Sequence, residues 1–474
     1  MTNYDAIVVG AGISGLSAAY ALYQRGMSVL VVEARDTVGG SIRSERTAEG
    51  FVLEHGPNTV VSKDPLLWEH FAELGIAAQR LVADRRSGRR FVLIDGQLEL
   101  LPTSPPAFLG SKVLSTGGKL RLLAEPLLPR TRMPDESIAA FCTRRLGVEA
   151  AQRLVDPFVS GVYAGDPSAT SMRAAFPSLW EAEQRYGSIA LGMIRGRKRA
   201  QIDEGRPKPA RMRSEMFTFA DGLITWPQAI ARALGSERVW LNTPATALQP
   251  GSNDWQLTVT RNGQPETLTT SQIILATPAD VTATLVERLD LAAAQVLRAI
   301  PYAPLAIVHL GYRRHDVSHP LDGFGMLCPG RERRHILGTL WTSSLFPGRA
   351  PADTVLLTTF VGGARNPRIL EQDDEQLLLS VKREQQVLVG ARGEPLFTNV
   401  TRWNRSIPQY VAGHTQRMTT LERLEATCPG LYLLGNYRDG VSVERCWLNG
   451  RLLVERIARV GTSRSCSPLP TSRR

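Results

Sequence analysis

The amino-terminal stretch of the chain reads DAIVVGAGISGLSAAYALYQRGMSVLVVE over residues 5–33. A short β-branched strand is followed by a helical pattern and then by a second apolar strand. The glycines of a G-x-G-x-x-G motif, Gly10, Gly12 and Gly15, stand where the first strand gives way to the helix, and Glu33 ends the second strand. This arrangement predicts a βαβ unit that binds a dinucleotide.

Each glycine has a separate physical task in such a unit. Gly10 makes the tight turn, Gly12 lets the backbone approach the pyrophosphate, and Gly15 permits close packing of the helix. The helix start, with Ile13 and Ser14, faces the phosphates because its free amides carry partial positive charge. Ribose hydroxyls would donate to Glu33, beside which Ala34 and Arg35 are further expected contacts.

A second glycine pair favours FAD over a nicotinamide nucleotide. Gly39 and Gly40 follow the acidic residue, and Arg43 comes next. This spacing suits a larger dinucleotide, and it resembles the extended FAD signature of the amine oxidase and phytoene desaturase group. NAD or NADP remains the lesser alternative, and no second G-x-G-x-x-G motif for a nicotinamide is present.

Composition restricts the class of protein and its compartment. The 474 residues are 43% hydrophobic and 21% charged, which is typical of a globular chain with two or three lobes. The five cysteines form no C-x-x-C pair, so they predict neither a disulfide framework nor a metal site and favour a cytoplasmic location. Neither a signal peptide nor a membrane-spanning run is recognised, so membrane contact would be peripheral, at the inner face of the cell membrane. The net charge of +11 does not choose a partner, but without a binding motif nucleic acid is disfavoured.

The order of patterns along the chain predicts an α/β protein with a discontinuous Rossmann-like FAD-binding domain. Apolar strands near 271–276 and 431–434 look like later strands of the same parallel sheet. Alternating patterns between 301 and 404 predict an antiparallel sheet that walls a pocket. The predicted parts are a FAD-binding domain (1–85, 214–280 and 420–462), a substrate-binding domain (86–105 and 281–419), a helical membrane-associating insertion (106–213) and a disordered tail (463–474). The arginine-rich segment 195–213 is either a solvated loop or a contact with a membrane or partner.

Three strings resemble the oxygen-dependent protoporphyrinogen oxidase family. They are DPFVSGVYAGDP at 156–167, GTLWTSSLFPGRAP at 338–351 and GNYRDGVSVERC at 435–446, and the resemblance extends from about 5 to 457. It implies a six-electron oxidation of a porphyrinogen in heme biosynthesis through FAD, with O2 as acceptor and H2O2 as product. It also implies peripheral membrane association through the helical insertion, and a homodimer. No catalytic side chain beyond the flavin and no metal are expected, and the seven histidines are interpreted as structural.

The resemblance extends the set of cofactor residues. It places Gly56, Pro57, Asn58 and Thr59 beside the flavin ring and the backbone of Ala245 beside adenine. Near the other end of the chain, Gly435 begins a strand-loop-helix segment. The amides at the start of its helix, at Val441, Ser442 and Val443, would face the flavin ring where the ring becomes anionic on reduction.

A porphyrinogen needs apolar walls and an arginine for its propionates. In the family, an arginine that opens an R-F-x-x-x-G strand pairs with a propionate, and Arg90 matches that position. Arg85, Arg86 and Arg89 are clustered beside it, so taken alone Arg90 could equally be a surface charge. The expected close-approach points and pocket walls are Gly161, Ala164, Phe324, Leu340 and Phe360, although an aromatic or leucine residue is more often plain core.

The substrate is predicted to be protoporphyrinogen IX. Coproporphyrinogen III, which carries four propionates, is the nearest alternative, and another oxidase related to the FAD amine oxidases is also open. A non-catalytic relative that escorts a lipid carrier has the same fold. Flavin colour and peroxide production would separate an oxidase from such a protein.

Overall fold

The computed structural model describes residues 3–130, 133, 135–195 and 214–465. Except for Arg195, the arginine-rich segment 195–213 lies outside these described residues. The longer helices outside the 106–213 region are Ile13–Tyr23, Pro65–Glu73, Thr225–Leu234, Ala279–Val286, Leu291–Arg298, Asp374–Val389, His414–Thr427 and Val443–Ser465, and the shorter ones are Thr342–Leu345 and Asn436–Asp439. In the described part of the chain, no helix is both long and apolar enough to cross a bilayer.

The first sheet contains the predicted βαβ unit. Its strands lie in the order Val239–Trp240, Val29–Val32, Asn3–Val9, Gln264–Leu275, Trp255–Arg261 and Ala245–Pro250, and Leu431–Leu433 also pairs with Gln264–Leu275. The pairs around Asn3–Val9 are parallel, whereas the last two strands in that order add antiparallel pairs. The mixed α/β fold is therefore confirmed, including both later strands that were predicted to return to this sheet.

The first sheet is buried on both faces because helices cover each of them. Val8 and Val31 pack on one side with the helices Ile13–Tyr23 and Val443–Ser465. Ile7 and Leu30 pack on the other side, where neighbouring residues alternate in direction along a strand. This double coverage explains why the strands read as continuous apolar runs.

Helices near two of the predicted domain boundaries pack against the first sheet. The helices of residues 281–300 were assigned to the substrate-binding domain, but Ala283, Val286 and Leu297 pack against the first sheet. The helix His414–Thr427 continues across the predicted boundary at 420 and packs on the same face. An amphipathic pattern shows that a helix covers a sheet, but it does not show which sheet. The domain boundaries themselves stay a prediction.

The second sheet is mostly antiparallel and has seven strands. Their order is Phe397–Pro408, Tyr302–Arg313, Thr354–Gly362, Ile336–Trp341, Gly325–Leu327, Arg90–Ile94 and Gln97–Leu100. Only Gly325–Leu327 and Arg90–Ile94 run parallel among these pairs. Smaller sheets pair Ser44–Arg46 with Val52–Glu54, and Val60–Ser62 and Arg80–Val82 with Glu215–Phe219. The alternating patterns between 301 and 404 thus form the predicted antiparallel sheet.

In the described part of the 106–213 region, the regular secondary structure is helical and is joined by loops. Its helices are Pro105–Gly110, Thr116–Leu123, Ile138–Leu146, Val148–Ala150, Asp156–Tyr163, Met172–Ala175, Pro177–Tyr186 and 189–195, with a π-helical turn at Ala151–Val155. The helix Ile138–Leu146 begins directly after Ser137, which caps it by accepting from the Ala140 amide.

A buried ion pair fixes the centre of this region. Arg145 is fully buried and bonds the Glu125 carboxylate and the carbonyls of Leu128 and Gly187. Burial alone would raise the pKa of Glu125, but hydrogen bonds from Ser188, a backbone amide and Arg145 lower it. The carboxylate is therefore ionised at neutral pH and compensates the buried guanidinium.

The last helix extends into the predicted carboxy-terminal tail. Disorder was expected from 463, but the last helix continues to Ser465 because no proline interrupts it between 443 and 465. The rest of the predicted tail lies outside the described residues.

A second buried ion pair joins the small sheet that contains Val52–Glu54 to the loop that precedes Thr354–Gly362 of the second sheet. Glu54 and Arg349 are each 1% exposed, and Oε1 of Glu54 lies 3.0 Å from Nη2 of Arg349. The Leu223 amide donates to the same carboxylate at 2.9 Å, and the Ser44 hydroxyl donates to it at 2.5 Å. The Val52 amide donates to the Arg349 carbonyl at 3.1 Å, so side chain and backbone both hold this junction.

We expect Arg145→Leu to loosen the helical region by leaving the Glu125 carboxylate buried without its partner. Loss of one member of a buried pair costs about 3–5 kcal/mol. Amide hydrogen exchange across 138–146 should therefore accelerate more than about 100-fold. The matched control is Arg298→Leu, which removes a solvent-exposed pair with Glu287. This control should change the free energy of local opening in 291–298 by less than about 1 kcal/mol. Equal effects of the two variants would contradict the role of the buried Glu125–Arg145 pair in holding this region.

Candidate cofactor and substrate site

The glycine motif forms a turn that tolerates no side chain at two positions. Gly10 has φ +106°, and a Cβ there would lie 2.8 Å from the Ala276 carbonyl oxygen. A Cβ on Gly15 would lie 2.1 Å from the Gly10 carbonyl oxygen. The turn and the close approach of helix to strand therefore need glycine at both positions, as the sequence predicted.

At Gly12, the need for glycine would come from a ligand and not from contacts within the protein. A Cβ there would meet no described atom within 4 Å, and its φ of −71° suits any residue. No described side chain caps the helix that begins at Ile13, so the first-turn amides at Ile13 and Ser14 face this open space. An uncapped helix start beside open space is a suitable place for a pyrophosphate.

The second glycine pair lies directly on the first motif. The Gly39 amide donates to the Ala11 carbonyl at 2.8 Å, and a Cβ on Gly40 would lie 3.2 Å from the Gly12 Cα. Both residues have positive φ angles, +108° at Gly39 and +61° at Gly40. Arg35 donates to the Gly40 carbonyl at 2.9 Å and helps to hold the second turn against the first.

Glu33 is bonded to the glycine turn, and its contact with a ribose stays a prediction. Its carboxylate accepts from the Ala11 amide at 2.7 Å and from the Arg35 amide at 3.1 Å, and Ala34 between them is exposed. The Thr243 amide donates to the Glu33 carbonyl at 2.7 Å. This bond brings the chain that enters the strand of Ala245 beside Glu33, and the place of Ala245 near adenine stays a prediction.

A second helix start reaches the same end of the first sheet. Gly435 and the turn Asn436–Asp439 precede the helix Val443–Ser465, near whose start lie Val441 and Ser442. The Ser17 hydroxyl donates to the Trp447 carbonyl at 2.6 Å, and Arg25 pairs with Glu455. Contacts therefore advance in the same direction along both helices, so the helices are parallel. Their amino-terminal ends, both expected at FAD, lie side by side.

The segment Gly56–Thr59 runs beside Arg43. A Cβ on Gly56 would lie 1.9 Å from the Ser41 carbonyl oxygen, and the His55 amide donates to the Arg43 carbonyl at 2.8 Å. Asn58 donates to the Gly56 carbonyl, and its own Oδ1 is buried without a partner among the described residues. Pro57 and Thr59 are half-buried. The segment is thus drawn tightly against the residues that follow the second glycine pair.

Arg43 also has an unsatisfied donor. Its Nε is buried without a described hydrogen-bond partner, and its guanidinium lies 5.0 Å from the ring centre of Trp403. Burial lowers the pKa of Arg43, with a further contribution from the charge of Arg35. A negatively charged or polar ligand beside Arg43 would satisfy this donor.

His55 connects the cofactor side to the second sheet, which the sequence did not predict. Its Nδ1 lies 2.7 Å from the Thr401 hydroxyl, its carbonyl accepts from the Trp403 indole at 2.5 Å, and its ring meets that of His309. Burial, assisted by neighbouring His55, lowers the pKa of His309 to about 3, so that imidazole is neutral. Neither histidine lies in a sequence motif that identifies such a contact.

Three predicted substrate residues share one face of the second sheet. Arg90 and Leu340 both pair with Gly325, so they point to the same side. Leu340 pairs with Thr358, two residues before Phe360, which places Phe360 on that side as well. Strand spacing of about 4.8 Å separates Arg90 from Leu340 by about 10 Å.

This face is the one that His55 touches. Phe360 pairs with Ile307, and Ile307 pairs with Thr401, the hydroxyl partner of His55. Leu340 and Phe360 are only partly buried. The predicted wall residues Leu340 and Phe360 therefore face the side of the sheet that His55 contacts, and not the hydrophobic core on the opposite side.

Arg90 differs from most of its arginine neighbours. Arg86 pairs with Asp84 and Arg89 pairs with Asp322, whereas Arg90 has no carboxylate partner within the described chain. Its guanidinium lies 5.1 Å from the ring centre of Phe324. Arg90 and Phe324 thus form an exposed cationic edge to an apolar surface.

Gly161 and Ala164 are packing positions. A Cβ on Gly161 would lie 2.4 Å from Cδ2 of Leu327, so its missing side chain admits the second sheet. Ala164 is 3% exposed, has φ +48°, and accepts from the Ala364 amide at 2.7 Å. Ala164 packs in one cluster with Ile307 and Phe360, on the face of the second sheet that carries the predicted wall residues, so its approach by a ligand stays a prediction.

The comparison with protein families identifies the class. The model of the flavin containing amine oxidoreductase family matches residues 13–458. The chain belongs to this family and is an FAD-dependent oxidoreductase.

Individual relatives are more specific. The mitochondrial protoporphyrinogen oxidase of Nicotiana tabacum is 32% identical, over 94% of this chain and 92% of its own. The coproporphyrinogen III oxidase of Bacillus subtilis (strain 168) is 28% identical, over 94% of this chain and 96% of its own. A solved structure from Exiguobacterium has the same fold, with a TM-score of 0.78 at 24% identity, covering 96% of this chain and 99% of that one.

The residues of the first sheet fit FAD. Open space beside Gly12, two adjacent helix starts, and the orphaned polar atoms of Arg43 and Asn58 lie along one path from Glu33 toward the second sheet. Helix amides suit a pyrophosphate, and polar groups near Arg43 suit the edge of a flavin ring. When bound, FAD supplies two-electron redox chemistry that these side chains do not provide.

We expect Gly12→Val to fold normally and to bind FAD at least tenfold more weakly. The Cβ of the new side chain meets no described atom within 4 Å, but the side chain would occupy the space assigned to the pyrophosphate. Titration of apoprotein with FAD, followed by flavin fluorescence, measures the affinity, and thermal unfolding of the apoprotein checks the fold. Gly88→Ala, also in open space but outside this site, should keep wild-type affinity. Wild-type FAD binding by Gly12→Val would disprove the assignment.

Proposed function

We propose that this enzyme oxidises protoporphyrinogen IX to protoporphyrin IX in porphyrin biosynthesis, with O2 as the electron acceptor and H2O2 as product. The observation that carries the proposal is the exposed, unpaired Arg90 on the face that also presents Leu340 and Phe360. A macrocycle with propionates needs this combination of apolar wall and cationic edge. The names of the plant relatives support the same substrate class.

The second sheet would bind and orient the macrocycle. Leu340, Phe360 and Phe324 would contact the apolar ring system, while the planar guanidinium of Arg90 would pair with a propionate through two parallel hydrogen bonds. The His55–Trp403 and Glu54–Arg349 contacts would hold this face against the flavin side. The side chains thus supply binding, alignment and exclusion of water, and bound FAD would accept the electrons in pairs.

Coproporphyrinogen III is the second candidate substrate. Relatives named coproporphyrinogen III oxidase from Bacillus subtilis and Staphylococcus aureus are 28% and 26% identical to this chain. The arginine cluster around Arg90 offers further cations, but Arg86 and Arg89 are already paired with aspartates. This pairing favours the substrate with fewer propionates.

The test compares peroxide production from purified protoporphyrinogen IX and coproporphyrinogen III by wild type and Arg90→Ala. We expect the wild type to prefer the first substrate. In Arg90→Ala, KM should rise about tenfold or more, because a charge-assisted contact contributes about 1.5–3 kcal/mol. Arg86→Ala, which removes a paired neighbour, should leave KM unchanged. Absence of activity on protoporphyrinogen IX would overturn the substrate, and an unchanged KM in Arg90→Ala would overturn its anchor role.

We also propose that the helical region associates peripherally with the inner face of the cell membrane. Leu109, Leu120, Leu123 and Leu127 are all more than half exposed within one short segment, and Lys112 beside them is exposed. Apolar side chains with nearby lysine suit the interface of an anionic bilayer. The four described cysteines are free thiols, which agrees with a cytoplasmic location. The homodimer implied by the family stays a prediction.

Leu127→Glu should weaken binding to vesicles of anionic phospholipid. Leu127 is 87% exposed, so the charge should not disturb the fold but would oppose insertion into the interface. Co-sedimentation with vesicles measures the effect, and we expect the bound fraction to fall severalfold. Val387→Glu is the control, because Val387 is similarly exposed on the helix Asp374–Val389. No vesicle binding by wild type would refute this surface.

A further inference from the structure

One buried tyrosine closes the turn before the last helix. Tyr410 is 4% exposed, and its hydroxyl donates to the Asn436 carbonyl at 2.5 Å. The same hydroxyl accepts from the Gly440 amide at 2.8 Å. These partners stand at the two ends of the turn Asn436–Asp439, directly before the helix start expected at the flavin. A single hydroxyl thus fixes both the entry to the turn and its exit.

The environment of Tyr410 keeps this hydroxyl protonated and in place. Burial raises the pKa of Tyr410 well above its ordinary value, so at neutral pH the group can donate and accept at once. Its ring stacks on that of His414, with centroids 4.2 Å apart and planes inclined by 16°. Burial lowers the pKa of His414 to about 4, so the stacked partner is neutral. Packing therefore sets the position of the hydroxyl.

The backbone around Tyr410 contacts the helical region. The Ser171 amide donates to the Tyr410 carbonyl at 2.8 Å, and Thr170 forms a bridge with Val411. The Gln409 side chain donates to the Tyr163 carbonyl at 2.9 Å. Gln409 and Tyr410 thus join the loop that follows Tyr163 to the turn that precedes the last helix.

The residue that follows the turn Asn436–Asp439 has a backbone conformation that suits only glycine. Gly440 has φ +121°, a region that L side chains rarely adopt. The Cys446 thiol lies 3.6 Å from the Gly440 carbonyl, and burial raises the pKa of Cys446 to about 11, so the thiol is not an anion. The Gly440 amide is therefore tied to Tyr410 while its carbonyl is tied to the helix that follows.

We propose that Tyr410 is a positioning residue for FAD. Its hydroxyl holds the turn so that the amides near Val441 and Ser442 face the flavin ring, and Gln409 and the Tyr410 backbone set that turn relative to the 163–171 loop. Tyr410 acts through the turn and does not contact the reacting atoms. The inference rests on the assignment of the flavin end of FAD to this helix start.

The test is Tyr410→Phe, which keeps the ring stacked on His414 and removes only the hydroxyl. We expect FAD affinity to fall about tenfold and the visible spectrum of the bound flavin to shift, because the amides that face the ring lose their fixed direction. The flavin midpoint potential should become more negative, since those amides favour the anionic reduced ring. FAD titration, absorbance and anaerobic redox titration measure these properties without substrate.

Tyr312→Phe is the matched control. Tyr312 is also buried, but in the core of the second sheet, and its variant should keep the wild-type affinity, spectrum and potential. Gln409→Met keeps the tyrosine hydroxyl and removes the tether to Tyr163, so it should weaken FAD binding by a smaller factor of about three. This variant also tests the proposal if Tyr410→Phe does not fold, and wild-type affinity in it would overturn the link to the 163–171 loop.

Wild-type affinity, spectrum and potential in Tyr410→Phe would overturn the positioning role. Equal changes in Tyr410→Phe and Tyr312→Phe would also overturn it, because they would reflect only the loss of a buried hydroxyl. The Gly12→Val experiment keeps the two assignments separate. If Gly12→Val binds FAD normally, the cofactor site itself is wrong, whereas a silent Tyr410→Phe removes only the positioning role.

Discussion

The close parallel packing of the first and last helices is the constraint on which the rest of the structure depends. A Cβ on Gly450 would lie 2.6 Å from the Ser14 carbonyl oxygen, so the helices touch at backbone distance. This contact joins residues more than 400 positions apart and brings the two helix starts to one end of the first sheet. Two sets of free amides then converge on the place where an anionic cofactor needs them. The chain between these two helices must fold in a way that keeps this helix contact.

The second sheet can serve a flavin reaction only because it is held against the end of the first sheet where the cofactor is expected. Two polar junctions do this, the buried Glu54–Arg349 pair and the contacts of His55 with Thr401 and Trp403. Both junctions use residues that stand immediately before Gly56. A buried ion pair contributes little net stability, but its directional bonds define one relative orientation of the parts it joins. Such precision is what an oxidase needs, because its side chains align the substrate with the flavin.

Local patterns predicted much of the first sheet and of its glycine motif. The strand before Gly10, the turn and the helix after it all depend on residues adjacent in sequence, so their signals are strong. The partners of distant contacts have no such signal. Residues 281–300 were assigned to the substrate-binding domain, although their helices pack on the first sheet, and the packing of Ala164 with Ile307 and Phe360 has no local signal either. In each case a residue's own neighbours do not specify what packs against it.

The sequence by itself determined the cofactor class, the presence of a parallel and an antiparallel sheet, and the family. These depend on glycine spacing, hydrophobic period and contiguous strings such as 156–167. Only the tertiary structure decided that Arg90, Leu340 and Phe360 share one face, since strand pairing sets side-chain direction across segments more than 200 residues apart. It also revealed His55 and Tyr410, whose importance comes from bonds to distant backbone and side-chain groups. Long-range hydrogen bonds form only after the chain has folded, and no local pattern of residues encodes their partners.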